Sequence, residues 1–304
     1  HINRAIIVLN YMVKKHQVNG VLIAKDDDAT KRFVTARETL FRTNYVKPGL
    51  SENEEIAWVR FFFEKESRNF VFVDLLEERR GSEYTENLKS DCSTVIFISD
   101  SSEFDASGCD IFINGNPALV VPEGCVENES LVGPEYFILS ENHISKQRNS
   151  MVHKRPCVLL VTLGGTDHND LLFEVFDALK EISPSVISKV IYVISNASGY
   201  VGRFEKLVAM DARSELLVDV ACLSEVWDLC DVAVTAGGNT LFERIAAGVP
   251  GMTITQLERQ EEIATKFDLL GLNRHIGFGP ALSGNDISKR LLNFLSDSAA
   301  QISQ

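Results

Sequence analysis

No apolar run in this chain approaches the roughly 20 residues of a membrane-spanning helix. The longest, such as VLLVTL at 158–163, is only a strand's length. No secretory leader is visible, since no basic start leads into an apolar stretch. The six cysteines, at 92, 109, 125, 157, 222 and 230, include no CxxC pair. Several sit in strand-like runs, which suggests buried reduced thiols and a cytoplasmic protein. The six histidines are scattered, and no ligand pair has metal-site spacing, so no metal is expected. Neither glycine pair is followed by GKS or GKT, which removes the Walker loop, and no GxGxxG supports a nicotinamide. No cofactor is expected either. Basic residues are the minority, 30 against 43 acidic, for a net charge of −13. That average field repels duplex nucleic acid and anionic membrane surfaces, so neither is an expected partner. It does not exclude a nucleotide, because a local cluster of backbone N–H groups holds a phosphate inside an acidic protein.

What remains is ordinary globular material. The 304 residues are 45% hydrophobic and 24% charged, enough for two domains of about 150 residues each. From Cys157 onward, short Val/Ile/Leu runs alternate with helical spacing. CVLLVTL, VIYVIS, LLVDV, DVAVT and GMTIT read as strands. Helices are expected over 170–182, 204–210, 224–229, 239–247, 259–270 and 287–295. Such alternation indicates a parallel sheet covered on both faces. The first half repeats the theme less cleanly. An amphipathic helix is expected over 3–15, and VLIA, NFVFVDL, TVIFIS and DIFIN are strand candidates. Ser51 with Glu54 forms a capping box ahead of another helix. A polar segment, SENHISKQRNSMVHKRP, separates domains expected at 1–145 and 155–304. The fold class expected is α/β, two Rossmann-like doubly wound domains facing a cleft, with ligands at the carboxyl ends of the strands.

Two glycine turns follow strands in the second half. In TAGGNTLFERIAAGVP, Gly237 and Gly238 permit a tight turn, Asn239 or Thr240 can cap the next helix, and its first-turn N–H groups favour an anion. Glu243, one turn on, is suited to sugar hydroxyls. Gly164, Gly165 and Thr166 form a second turn of expected similar geometry, and the two together could bracket a diphosphate. A glycine-enabled structural turn is the competing reading of each, and surface solvation that of Arg259-Gln260-Glu261. In the first half, Asp74 ends one strand and Asp100 follows another; acid–base work and simple capping are equally open for both. His1 stands directly before the first helix, where a neutral imidazole can act as a base.

These residues, taken in order, resemble a known family. HINR before an apolar helix looks like the tail of a Gly-x-Gly-His-x-x-Arg loop. With VDLL, the ISD before DIFIN, VGPEYFIL, TLGGTD, AGGNTLFERIAAGVP and ERQ, the pattern is similar to the UDP-sugar hydrolases of pseudaminic acid synthesis and to spore-coat polysaccharide proteins of the same type. The resemblance covers nearly the whole chain and implies a GT-B-type fold. It implies cleavage of UDP-2,4-diacetamido-2,4,6-trideoxy-β-L-altropyranose to free sugar and UDP. It assigns His1 to activation of water and Asp74 to the acidic position of the catalytic side. It places UDP at Gly237, Gly238, Asn239, Thr240 and Glu243, and the sugar near Asp100, Tyr136 and Gln260. The sequence departs from the pattern at three points. Arg259 stands where Asn is usual, Ser140 where an arginine is usual, and the glycines ahead of the histidine are absent. About 15 to 20 further residues supplying a first strand are expected ahead of His1, because a doubly wound sheet needs its first β-turn-α unit. A UDP-sugar glycosyltransferase, a hydrolysing 2-epimerase and a nucleotide-sugar-binding protein without catalysis are the competing readings.

Overall fold

The computed structural model describes residues 2–63, 68–74, 82–89, 93–100, 108–119, 129–144, 156–165, 167, 169–220 and 222–301. The chain divides into two compact units, His1–Ser140 and Glu141–Gln304.

In the first unit, α1 (Ile2–His16) precedes β1 (Val21–Lys25), α2 (Asp28–Thr35) and β2 (Arg42–Val46). These are followed by α3 (Glu52–Arg60), β3 (Asn69–Val73), α4 (Ser82–Leu88), β4 (Ser93–Ile98), β5 (Ile111–Asn114) and β6 (Glu129–Val132). The strands form two parallel sheets, β1–β2 and β3–β4–β5–β6. Ile6 and Leu22 share a core with Val34, while Ile56, Val73, Val95 and Phe97 build another, against which Ile23 of β1 packs. The capping box is present as expected. The Ser51 N–H donates to Glu54 Oε2 at 2.8 Å, and the Glu54 N–H donates to Ser51 Oγ at 3.4 Å.

The second unit begins with a one-turn helix, α5 (Glu141–Ile144), then β7 (Cys157–Thr162), α6 (Leu171–Lys180), β8 (Ile187–Ile194), α7 (Val201–Val208) and β9 (Ser214–Val218). It ends with β10 (Val232–Ala236), α8 (Asn239–Ala246), β11 (Gly251–Thr255), α9 (Glu258–Leu269), β12 (Arg274–Phe278) and α10 (Gly284–Gln301). All six strands are parallel in the order β12-β11-β10-β7-β8-β9. Alternation along the strands sends Leu159, Val161, Tyr192 and Val234 to one core and Leu160, Ile191, Val193 and Ala233 to another. Both faces are therefore covered, and each fully buried aliphatic side chain contributes about 1.5–3 kcal/mol.

Several expectations change. Residues 224–229 do not form an α-helix; they make two 3₁₀ turns, Leu223–Glu225 and Trp227–Leu229. Buried Val226 joins the two turns and buried Trp227 opens the second, and a segment this short gains little from the costly α nucleus. β2, β6, β12, α2 and α4 were not anticipated. In β12, the ladder to β11 shifts register between Thr253 and Ile254, and Gly277 adopts φ +120°, which interrupts the alternation that marks a strand.

Candidate functional site

The second sheet runs through its topological switch point at β7 and β10. Chains leaving these neighbours turn to opposite sides, which opens a crevice beyond their carboxyl ends. Gly164-Gly165 follows β7 and Gly237-Gly238 follows β10, so both glycine turns lie at that point. They are not equivalent. The helix after the first turn is already capped: the Asp167 carboxylate accepts the Leu171 N–H at 3.1 Å, the Leu172 N–H at 2.8 Å and the Tyr200 hydroxyl at 3.0 Å. A carboxylate there competes with any anion, so the expected similarity of the two turns fails at α6. Gly164 adopts φ +88°, and nothing lies within 4 Å of a Cβ at Gly164 or Gly165. Thr166 lies outside the described residues.

At the second turn, neither Asn239 nor Thr240 is the cap. The N-cap residue is Gly238, which has no side chain to cap with, and Asn239 begins the helix. The first-turn N–H groups of α8 thus carry the positive end of the helix dipole without a side-chain acceptor from the cap. A Cβ at Gly237 would stand 2.8 Å from Gln260 Cβ and 2.9 Å from Thr255 Cγ2, so the turn is pressed against the start of α9. Gln260 uses its Oε1 to accept the Gln256 N–H at 2.9 Å, and its Nε2 lies 3.5 Å from a Cβ at Gly238. The structure thereby brings Gly237, Gly238 and Gln260 together.

Gln256, which the sequence reading passed over, stitches the site across the sheet. Its Nε2 donates to Leu163 O at 2.8 Å, and its backbone carbonyl accepts from Asn169 Nδ2 at 3.3 Å. A glutamine directly after the apolar run GMTIT, at the carboxyl end of a strand, is the signal the sequence carries. The start of α9 is held further by Glu261, which bonds Thr255 and pairs with His275 Nε2 at 3.0 Å.

Glu243 faces inward one turn along α8, its side chain 16% exposed. Burial pushes its carboxyl up to about 7; His143 opposes the shift and Cys222 adds to it. His143 Nε2, on α5, lies 4.0 Å from Glu243 Oε1 and 3.8 Å from Cys222 Sγ. Burial lowers the imidazole below its ordinary value. The next residue, Arg244, points the other way, donating to Val249 O at 3.0 Å and Asn273 Oδ1 at 2.6 Å.

In the first unit, Asp74 and Asp100 converge on Arg4. Arg4 Nε donates to Asp74 Oδ2 at 2.9 Å, its Nη2 to Asp74 Oδ1 at 2.7 Å, and its Nη1 to Asp100. Arg4 is 3% exposed and Asp74 5%. Burial works against the guanidinium charge, but the two carboxylates outweigh it and raise its pKa. Tyr136 is 39% exposed in a 3₁₀ turn, Pro134–Tyr136. His1 lies outside the described residues.

No family model matches the chain. It is 23% identical over 171 residues to the spore coat polysaccharide biosynthesis protein SpsG of Bacillus subtilis, a match covering 56% of this chain and 50% of that protein. This is homology at low identity. An uncharacterized protein of Methanocaldococcus jannaschii, MJ1062, is 24% identical over 281 residues, 86% of this chain and 54% of its own length. The chain spans about half the length of these relatives. Among solved structures, MurG of Acinetobacter baumannii superimposes with a TM-score of 0.65 at 12% identity, covering 97% of this chain and 87% of that one. MnaA of Staphylococcus aureus, solved with UDP, gives 0.61 at 11% identity over 97% and 86%. These likenesses establish the α/β fold of GT-B type with parallel sheets. No helix among the described residues is long and apolar enough to cross a membrane.

Proposed function

We propose that the chain binds a UDP-sugar and hydrolyses it at the anomeric carbon, releasing UDP and the free sugar for surface polysaccharide or nonulosonic acid synthesis. The observation that carries this reading is the uncapped start of α8 at the β7/β10 switch point, with the buried Glu243 carboxyl one turn inward. The diphosphate takes the first-turn N–H groups of α8, the glycines at 164 and 165 leave it room, and Glu243 accepts from the ribose hydroxyls. When the bond from C1 to the phosphate oxygen breaks, the sugar gains oxocarbenium character and the leaving UDP gains negative charge. Preorganised donors at the helix start stabilise that charge without reorganising during the reaction. Gln260, Asp100 and Tyr136 are the residues assigned to the sugar.

In this reading, His1 takes a proton from the attacking water, a step of typically 10²–10⁴-fold in rate. The Arg4 clamp anchors the first turn of α1 at the carboxyl ends of β3 and β4, three residues along the chain from His1. Asp74 thereby serves the catalytic side by holding Arg4 rather than as a free base. The likeness to a spore-coat polysaccharide biosynthesis protein supports the pathway class, and UDP in the S. aureus neighbour supports the nucleotide. The 2,4-diacetamido-trideoxy sugar is the substrate we would offer first.

A glycosyltransferase using the same donor is the second reading, favoured by the overlay on MurG. Measuring UDP release from a UDP-sugar panel in water, with and without His1→Gln, separates them. Turnover in water that collapses in the variant while UDP still binds is the expected result. Binding without turnover in water would overturn the hydrolase and leave the transferase.

A further inference from the structure

Burial raises the Glu243 carboxyl to about 7, so below neutrality it keeps its proton, yet its assigned task is to accept hydrogen bonds. A nucleotide ribose presents two hydroxyl donors, and a carboxylate accepts both far better than a neutral acid does. Something must therefore take the proton when the ribose arrives. Among the described residues, few groups face Glu243. From its own helix, Arg244 turns away into the Val249 and Asn273 contacts and supplies no counter-charge. From the segment after β9, Cys222 approaches, its thiol engaged with Ser224 Oγ at 2.9 Å. From α5, His143 approaches to 4.0 Å, 3% exposed, and its Nδ1 has no hydrogen-bond partner among the described residues. A narrow recess lined by Asn142, Ser224, Trp227, Asp228 and Ala247 adjoins the imidazole.

We propose that His143 is a positioning residue: it receives the Glu243 proton when the ribose of a nucleoside diphosphate binds, turning a neutral pair into an ion pair. This rests on the nucleotide reading above. The empty pair holds one proton, on the carboxyl. On binding, that proton leaves the Glu243 oxygen and bonds to His143 Nε2, after the two atoms close by about 1 Å to hydrogen-bond distance. The carboxylate gains two ribose donors and a cation, and the imidazolium gains a counter-ion in a place where an isolated charge is costly. Below pH 7, where the empty pair already holds this proton, none enters or leaves the protein.

The consequence is visible in proton uptake. UDP binding to the full chain is measured by titration calorimetry from pH 6 to 8.5, in buffers of different ionisation heat. The wild-type protein, His143→Gln and Glu243→Gln are compared. Below pH 7 the wild-type affinity is expected to stay nearly flat, with a binding heat independent of buffer. His143→Gln cannot accept the proton, so its affinity falls about tenfold per pH unit below 7 and each binding event releases close to one proton to the buffer. Glu243→Gln binds more weakly and without pH dependence. A wild-type protein that itself releases a proton overturns the proposal, as does a His143→Gln profile that matches the wild type. The first of these outcomes needs no variant and so survives any folding defect. If UDP fails to bind the wild-type chain at every pH, the nucleotide reading falls instead and takes this inference with it.

Discussion

The two units begin corresponding strands in the same way and end them differently. Asp110 leads into β5 and accepts the Val95 N–H at 2.7 Å; Asp231 leads into β10 and accepts the Val158 N–H at 2.7 Å. In each case the aspartate N–H also donates back to the same residue's carbonyl at 2.9 Å. At the carboxyl ends the likeness stops. β5 closes on itself, with Asn114 Oδ1 accepting the Asn116 N–H at 2.8 Å. β10 runs into Gly237-Gly238 and a helix whose cap has no side chain. The charges follow the same division. The buried carboxylate Asp74 is matched by a guanidinium, whereas Glu243 has, among the described residues, the His143 imidazole and the Cys222 thiol beside it. A cluster whose charges are matched internally is a fixture of the fold; one left unmatched is where a ligand changes the energy most.

Removing the fixture should have the largest effect. Arg4→Ala leaves Asp74 buried without its cation and is expected to cost about 3–5 kcal/mol in urea unfolding. Arg4→Lys keeps the charge but loses the two-pronged contact, and should recover only part of that. The unmatched cluster should respond with the opposite sign. The folded-state pKa of Glu243 is about 7, above its ordinary value, so its stability contribution is full below the unfolded pKa and is lost as pH rises through 7. Glu243→Gln removes that loss, so the variant should gain about 3 kcal/mol over wild type between pH 5 and pH 8.5. A gain independent of pH would erase the contrast between the clusters.

The glycine turn tests the comparison at smaller scale. Gly237→Ala must push back Gln260 and Thr255 and should cost about 1–3 kcal/mol. Gly238→Ala, whose nearest neighbour would be a side-chain amide at 3.5 Å, should cost clearly less in the same thermal melts. The smallest effect is expected at the exposed capping box, where Ser51→Ala should cost about 1 kcal/mol in either denaturant or heat.

The second unit was largely legible because buried parallel strands are written as continuous apolar runs, and CVLLVT, DVAVT and GMTIT are bounded by turn residues. The first unit was less so: β2 reads RTNYV and β6 reads ESLV, short or polar runs that periodicity alone does not separate from loops. At the site, the Gly237 turn and Glu243 stood out through spacing. What spacing does not carry is who sits across from whom. Arg4 meets Asp74 and Asp100 at separations of 70 and 96 residues. His143 reaches Glu243 from a polar stretch that reads as linker. Only folding brings such partners together.

The strand order has a kinetic consequence. β7 pairs with β10 in the centre of its sheet, although β8, α7 and β9 all intervene along the chain. Closing so long a loop must precede the pairing that rewards it, and pairings of that kind set slow folding steps. A nascent chain that has emerged only as far as Val218 can already assemble β7, β8 and β9 with their helices. It has one glycine turn, already capped by its own aspartate, and no place for a diphosphate. The site is thus among the last features the second unit acquires, and any ligand that binds it selects chains whose central pairing is complete.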